Sequence, residues 1–488
     1  MSRREQECFP GPDWRTMGIL AGFMVPHPPL IVPAVGRGGE AEIEETTRAY
    51  EKVAEEIAEL KPDTIVISSP HTVMYADYFH ISPGIHAAGD FGDFRAKRVK
   101  FEVKYDERFA MQWANHAAVN EIDAGVLGEK DSRLDHGTMV PLFFITKRYT
   151  DFKLVRIGLS GFSLATHYRM GQLAATVADE LGRRVVFVGS GDLSHRTQVY
   201  GPYGFNPAGP VYDERIMDVM GRGAFDELLD FEDALCEKAA ECGHRSFVMM
   251  AGSLDRKAVR IEKLVHQDVT GVGYGICSYI VEGEDPSRNF LEKWEDREQA
   301  RRQKVREAED VYVRLARRSL ENYVKKGEVI SWEEVKEEVV DGRDISLDEL
   351  ENRRAGAFVS IHKEGRLRGC IGTISAVRGR VADEIIENAV SASTRDPRFD
   401  PIEEDELPYL EISVDILGEA EPIQSETDLD PDRYGVIVTK GIRRGLLLPH
   451  LDGVDTVEEQ LSIAKRKAGL MPDEEGCQLE RFEVVRHH

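Results

Sequence analysis

Three short apolar runs in this 488-residue chain each end in a histidine. Residues 19–25 (ILAGFMV) run into Pro26-His27-Pro28-Pro29, and residues 64–67 (TIVI) run into Ser68-Ser69-Pro70-His71. Residues 185–188 (VVFV) lead to Gly189-Ser190-Gly191-Asp192-Leu193-Ser194-His195. A single histidine at such a place reads as a surface or satisfied core residue, and prolines beside it read as strand stops. Three at the same place are what a site needs. Two imidazoles and a carboxylate on one face of an octahedral ion leave three adjacent positions open, the non-haem Fe(II) arrangement in which a catechol and dioxygen bind side by side. A base must then take a catechol proton, and an imidazole titrating near neutrality suits that task. His27 and His71 are candidate ligands, His195 the candidate base, and Asp192 its candidate orienting partner.

The elements that would position these residues alternate. Between the first two runs, residues 40–60 place Ile43, Tyr50, Val53, Ala54, Ile57 and Leu60 on one helical face, stopped by Pro62. Continuous apolar strands separated by helices imply an α/β domain with a mostly parallel sheet covered on both faces, whose ligand crevice lies outside the carboxyl ends of the strands. Gly271-Val272-Gly273-Tyr274-Gly275 leads into an apolar run, 276–281, and reads as a turn into a strand; with no helix after it the dinucleotide fingerprint fails. Residues 291–310 hold 13 charges, seven acidic and six basic, and suit a solvated helix joining two domains.

Composition narrows the function classes. The 88 acidic against 63 basic side chains give a net charge of -25, which repels nucleic acid and anionic membranes. Residues 1–16 read as an extension without the apolar stretch of a signal peptide. Six unpaired cysteines (Cys8, Cys236, Cys242, Cys277, Cys370, Cys477) read as reduced cytoplasmic thiols.

Val25-Pro26-His27-Pro28-Pro29, Ser69-Pro70-His71, Asp135-His136-Gly137-Thr138-Met139-Val140-Pro141-Leu142 and Gly191-Asp192-Leu193-Ser194-His195 resemble the class III extradiol ring-cleavage dioxygenases of the LigB type, in that family's order and over residues 17–282. The resemblance implies ferrous iron, or another divalent metal, on His27 and His71, with a small catechol-like substrate and dioxygen. It implies His195 as the acid/base and His136 as a residue contacting substrate or dioxygen. The family's third ligand is a downstream glutamate, and Glu241 stands in the matching region. The related Memo proteins, which share the fold without established ring cleavage, carry a Cys-Gly motif there, so Cys242 competes for the place. His244 with Arg245 reads either as an anion-holding pair or as surface. Relatives of this type often pair or carry a small second subunit, so an oligomer is an open expectation.

Beyond a charged linker at 283–304, residues 305–488 alternate in shorter strands with hairpin turns and read as a smaller mixed α+β domain. Residues 357–362 and 367–373 flank Lys363-Glu364-Gly365-Arg366, and residues 436–439 and 446–448 flank a second turn. Capping boxes at Ser331/Glu334, Ser346/Glu349 and Thr456/Glu459 announce helices. Cys370 would act as a nucleophile if His362 or His450 activated it, and otherwise is a small thiol packed between glycines. Arg368, Arg395 and Arg398 read as an anion site or as solvated arginines. Arg368-Gly369-Cys370-Ile371-Gly372-Thr373, the run from Ser391 to Phe399 and Thr439-Lys440-Gly441 resemble the AMMECR domain, whose biochemistry is unsettled. The fusion resembles the AmmeMemoRadiSam system protein A family. That resemblance implies a radical SAM protein as partner and, as the alternative to ring cleavage, a metal-binding partner module.

Overall fold

In the computed structural model the description covers residues 17–130, 133–340, 347–363, 365–451 and 453–488, and the chain divides into two units between Arg297 and Glu298. The extension at 1–16 with Cys8, the capping residue Ser346 and the turn residue Glu364 lie outside the described residues.

The first unit is built on one sheet. Its strands are β1 (Gly18–Val25), β2 (Thr64–Ser69), β3 (Lys153–Gly158), β4 (Arg184–Ser190), β5 (Lys257–Gln267) and β6 (Tyr274–Glu284), in the order β3-β2-β4-β1-β6-β5. The first four are mutually parallel; β6 pairs antiparallel with both β1 and β5, so the sheet is mixed. Every residue of β2 is buried, as strands covered on both faces require. Alternate side chains feed two cores. Val66, Val185 and Phe187 go to one, Ile65, Val186 and Val188 to the other. The register levels the strand ends, with Val25 opposite Ser190 and Ser68 opposite Gly189.

The helices of this unit include α1 (Glu44–Leu60), α2 (Glu107–Val119), α3 (His136–Ile145), α4 (Leu164–Leu181), α5 (Ala208–Arg222), α6 (Asp233–Ala239) and α7 (His244–Ser253). α1 and α3 cover one face through Tyr50, Val53, Ile57, Leu142 and Phe144; α2, α4, α5 and α7 cover the other through Trp113, Tyr168, Tyr212 and Phe247. α1 buries Tyr50, Val53, Ala54 and Ile57 of the expected stripe, with Ile43 buried just before it and Leu60 half-buried, and closes at Lys61, in the left-handed conformation at φ 47°. α8 (Phe290–Ala308) buries only Phe290 and Leu291, as its charge pattern requires, and contains the division between units. No helix among the described residues is long and apolar enough to cross a membrane.

In the second unit, α9 (Val311–Lys326) and α11 (Val381–Thr394) lie on a sheet ordered β8-β7-β9-β13, made of β7 (Ala357–Lys363), β8 (Arg366–Gly372), β9 (Leu410–Leu417) and β13 (Val484–His487). The second expected hairpin is β10 (Gly435–Lys440) with β11 (Arg443–Leu447), which joins β12 (Gln478–Phe482) in another antiparallel sheet. The capping boxes of α10 (Trp332–Val339) and α12 (Val457–Lys467) are formed by Ser331/Glu334 and Thr456/Glu459.

Helices α4 and α7 touch backbone to backbone. A Cβ on Gly171 would collide with the Met249 carbonyl, and one on Gly252 with the Tyr168 carbonyl. Gly171→Ala is therefore expected to cost about 1–3 kcal/mol in urea unfolding, the range for overpacking. Gly39→Ala, where an added Cβ meets nothing within 4 Å, is expected to stay within about 0.5 kcal/mol.

Candidate metal centre

His27 leaves β1 with its position fixed twice. Its backbone N–H donates to Asp192 Oδ1 at 2.7 Å, and its ring Nδ1 lies 3.0 Å from Ser190 Oγ. Ser190 gives its own hydroxyl hydrogen to the Gly137 carbonyl at 2.6 Å, so it can only accept from the ring. That assigns the proton to Nδ1 and leaves the Nε2 lone pair facing outward. What it faces is His71, whose Nε2 is 3.1 Å away. The His136 ring, at the first position of α3, lies 4.0 Å from His71 and 5.4 Å from His27, centroid to centroid. His136 packs in turn against Phe94.

The third donor comes from the turn between α6 and α7. α6 ends at Ala240, a non-glycine residue in the left-handed conformation with φ 53°. The chain then passes so close to the end of β4 that a Cβ on Gly191 would collide with Gly243 Cα. Cys242 Sγ is brought to 3.5 Å from His27 Nε2 and accepts the Asp192 N–H at 3.3 Å.

Three expectations change here. Glu241 does not meet the imidazoles: its carboxylate accepts the first N–H of α7, from His244, at 2.6 Å, because the turn at Ala240 aims residue 241 along the helix and residue 242 at the strand ends. Asp192 does not hold the His195 ring: its Oδ1 accepts the His27 N–H, and Ala240 O accepts from His195 Nδ1 at 2.6 Å instead. His244 is buried, bonded to Tyr212 and to Leu228 O, and has no face for an anion.

Burial sets the charge states. It lowers His27 well below the ordinary imidazole range, with His71, His136 and His195 adding to the effect. Burial also lowers His71 and His195, and takes His136 down to about 4. All four rings are therefore neutral at pH 7, the form that binds metals. Desolvation pushes the Cys242 thiol well above its usual range and raises Asp192 and Glu241 to about 7.

Two groups of donor atoms lie within 4.8 Å of one another among the described residues: His27, His71 and Cys242, and Asp192, His195 and Cys242. The first fits a metal ion. Its edges of 3.1 and 3.5 Å are those spanned by two nitrogens and a sulfur sharing one ion with bonds of about 2.1 and 2.3 Å. A metal also resolves the facing of two imidazole nitrogens, one of which is a fixed lone pair, and would convert the thiol to its thiolate. His71 is desolvated on the side of the other rings but keeps part of its surface in solvent, so the centre opens on that side. Ser190 and Ala240 were not legible as site residues: a lone serine hydroxyl is too common to mark a partner, and a main-chain carbonyl carries no residue-type signal.

In the second unit, Cys370 Sγ accepts the Ser360 hydroxyl at 3.3 Å, and its backbone N–H donates to Asp396 Oδ2 at 2.9 Å. No histidine is bonded to that sulfur among the described residues; His362 pairs across the sheet with Leu367 and Glu411, and the His450 ring lies 3.3 Å from Asp432 O. Arg368 is not an anion site, because Glu406 takes its guanidinium at 2.8 and 3.0 Å and the Asp400 and Pro401 carbonyls accept from it too. Arg398 is likewise paired with Asp396, and Arg395 with Glu387.

A mixed sheet with imidazoles at the ends of its parallel strands, followed by an antiparallel α+β unit, defines the class. Residues 21–277 match the family model described as the catalytic LigB subunit of aromatic ring-opening dioxygenase, and residues 313–487 match AMMECR1. A protein of Clostridium acetobutylicum is 39% identical over 484 residues, which cover 96% of this chain and 99% of that one. A Thermotoga maritima protein is 50% identical over 180 residues, 37% of this chain and 98% of that one. A solved structure of an uncharacterized protein from Pyrococcus horikoshii is 30% identical, covers 36% of this chain and 88% of that one, and gives a TM-score of 0.31. The chain belongs to the LigB family of dioxygenase subunits, carried here in one polypeptide with an AMMECR1 domain.

Metal analysis after anaerobic loading with Fe(II) tests the donor set. Wild type and Glu241→Ala are expected to hold about one ion per chain, the stoichiometry of a three-donor mononuclear site, and His27→Ala and Cys242→Ala to hold none. Retention by Cys242→Ala with loss in Glu241→Ala would reverse the assignment of the third donor.

Proposed function

We propose that the first unit is a non-haem iron(II) dioxygenase acting on a catechol-like substrate, with His27, His71 and Cys242 as its metal ligands. The observation that carries this reading is the meeting of two neutral imidazoles and a thiol at level strand ends, with two further neutral imidazoles beside them. Ferrous iron held there would supply the redox chemistry that joins an aromatic diolate to dioxygen. A thiolate brings the same single negative charge that a carboxylate would, so the charge of the donor set is kept. His195 is the base: Ala240 O holds its Nδ1–H, which leaves Nε2 to take a phenolic proton, and the ring has a nitrogen within 4.8 Å of the Cys242 sulfur. The same carbonyl steadies the imidazolium that results. His136, packed between His71 and the edge-to-face Phe94 ring, lies where a bound substrate would touch it. Tyr203, 61% exposed and perpendicular to the His195 ring at 5.1 Å, offers an aromatic wall on the solvent side.

A second reading is favoured by the sulfur itself. Thiolate prefers zinc or copper, and a centre of that kind would make the unit a metal-binding module serving a radical SAM partner without ring cleavage.

Dioxygen consumption by the iron-loaded protein across a panel of catechols decides between the two. The dioxygenase reading expects uptake matched by a product heavier by two oxygen atoms, and a kcat about 10²–10⁴-fold lower in His195→Gln. No uptake with any catechol, together with stronger retention of zinc or copper than of iron, would sink it and leave the second reading.

A further inference from the structure

A buried arginine is linked to His71 and to the start of α3 through one carboxylate. Arg156 lies in β3, in register with Ile67 of β2, and is 1% exposed. A guanidinium buried in a parallel sheet is costly unless its donors are met. Its Nε donates to Ser82 Oγ at 2.8 Å, and its Nη1 donates to Arg133 O at 2.8 Å and to Asp135 Oδ2 at 3.3 Å.

Asp135 is where that charge is spent on geometry. Its Oδ1 accepts the Ser69 hydroxyl at 2.7 Å and the Thr138 N–H at 3.0 Å, and its Oδ2 accepts the Thr138 hydroxyl at 2.8 Å. Ser69 Oγ in turn accepts the His71 N–H at 3.2 Å. One carboxylate therefore fixes the start of α3, from which His136 projects, and through Ser69 the backbone of His71. Gly137 completes the fit, since a Cβ there would collide with Ser69 Oγ. The arginine is thus connected by three hydrogen bonds in series to the backbone of one candidate ligand and by a helix cap to the His136 ring that packs against it.

We infer that Arg156 is a positioning residue for the metal centre, setting the placement of His71 and His136 through Asp135. The inference rests on the metal-site reading above, and its test separates the two. Peptide-resolved hydrogen exchange on metal-free protein reads the network directly, and competition with a chromophoric chelator reads metal affinity. In Arg156→Met, exchange in peptides spanning residues 69–72 and 135–139 is expected to quicken about tenfold, with β4 unchanged. Metal affinity is expected to fall about 10–100-fold, the usual effect of losing an outer partner of a ligand. Asp135→Asn is expected to do the same, and the double variant to be no worse than the more affected single one, because both act through one ion pair. Arg156→Lys is expected to recover part of the loss, since an ammonium can meet the carboxylate but not the fork of acceptors. It also carries the test, with Asp135→Asn, if Arg156→Met does not fold. A folded Arg156→Met with wild-type exchange and wild-type affinity would overturn the inference while leaving the metal site intact. Quickened exchange in a protein whose wild type takes up no metal would do the reverse.

Discussion

Two backbones in contact, at Gly191 and Gly243, decide where the sulfur goes. The end of β4 and the turn before α7 approach closely enough that neither position tolerates a Cβ. That approach sets Cys242 against the Asp192 N–H and the His27 ring, and it turns Glu241 away to cap a helix. The level ends of β1, β2 and β4 bring the two imidazoles to the same spot. Removing the contact would leave the imidazoles together and the third donor elsewhere.

Burial then sets the chemistry of what has been gathered. Three imidazoles whose centroids lie 4.0 to 5.4 Å apart could not all be charged, and desolvation keeps them neutral. The hydrogen bonds that hold them come from unremarkable partners: a serine hydroxyl committed to a carbonyl for the His27 ring, a main-chain carbonyl for the His195 ring, and the Ser69 hydroxyl for the His71 main chain. Such partners fix tautomers and directions without adding charge of their own. The exception is the buried Arg156–Asp135 pair, whose cost is offset by the number of bonds that the carboxylate organises.

The second unit uses its charged residues differently. Arg368, Arg395 and Arg398 each face a carboxylate, so what reads along the chain as a basic motif is, in space, a set of ion pairs around a hairpin. Cys370 is held by Ser360 and Asp396 on that hairpin, and Gly369 beside it lets α11 approach, since a Cβ there would collide with the Ala392 carbonyl.

Much of this was legible from residue order alone. Apolar runs of four to seven residues, each leading to a histidine, specified parallel strands with imidazoles at their carboxyl ends, because period and burial are local properties. Alternation and turn glycines did the same for the antiparallel hairpins, and capping boxes marked helix starts at Ser331 and Thr456. His27, His71, His136 and His195 could be named as site candidates, through their place after strands or through family motifs. The choice between Glu241 and Cys242 could not. Adjacent residues in a turn differ in direction by the backbone conformation of one position, here the left-handed Ala240, and nothing in alanine's side chain announces it. The orienting partner of His195 was hidden because a carbonyl has no residue type, and the role of Arg156 was hidden because its partner lies 21 positions away. The sequence by itself determined which elements form and which residues reach the strand ends; tertiary structure decided which atoms meet there, because donor geometry depends on how close two backbones come.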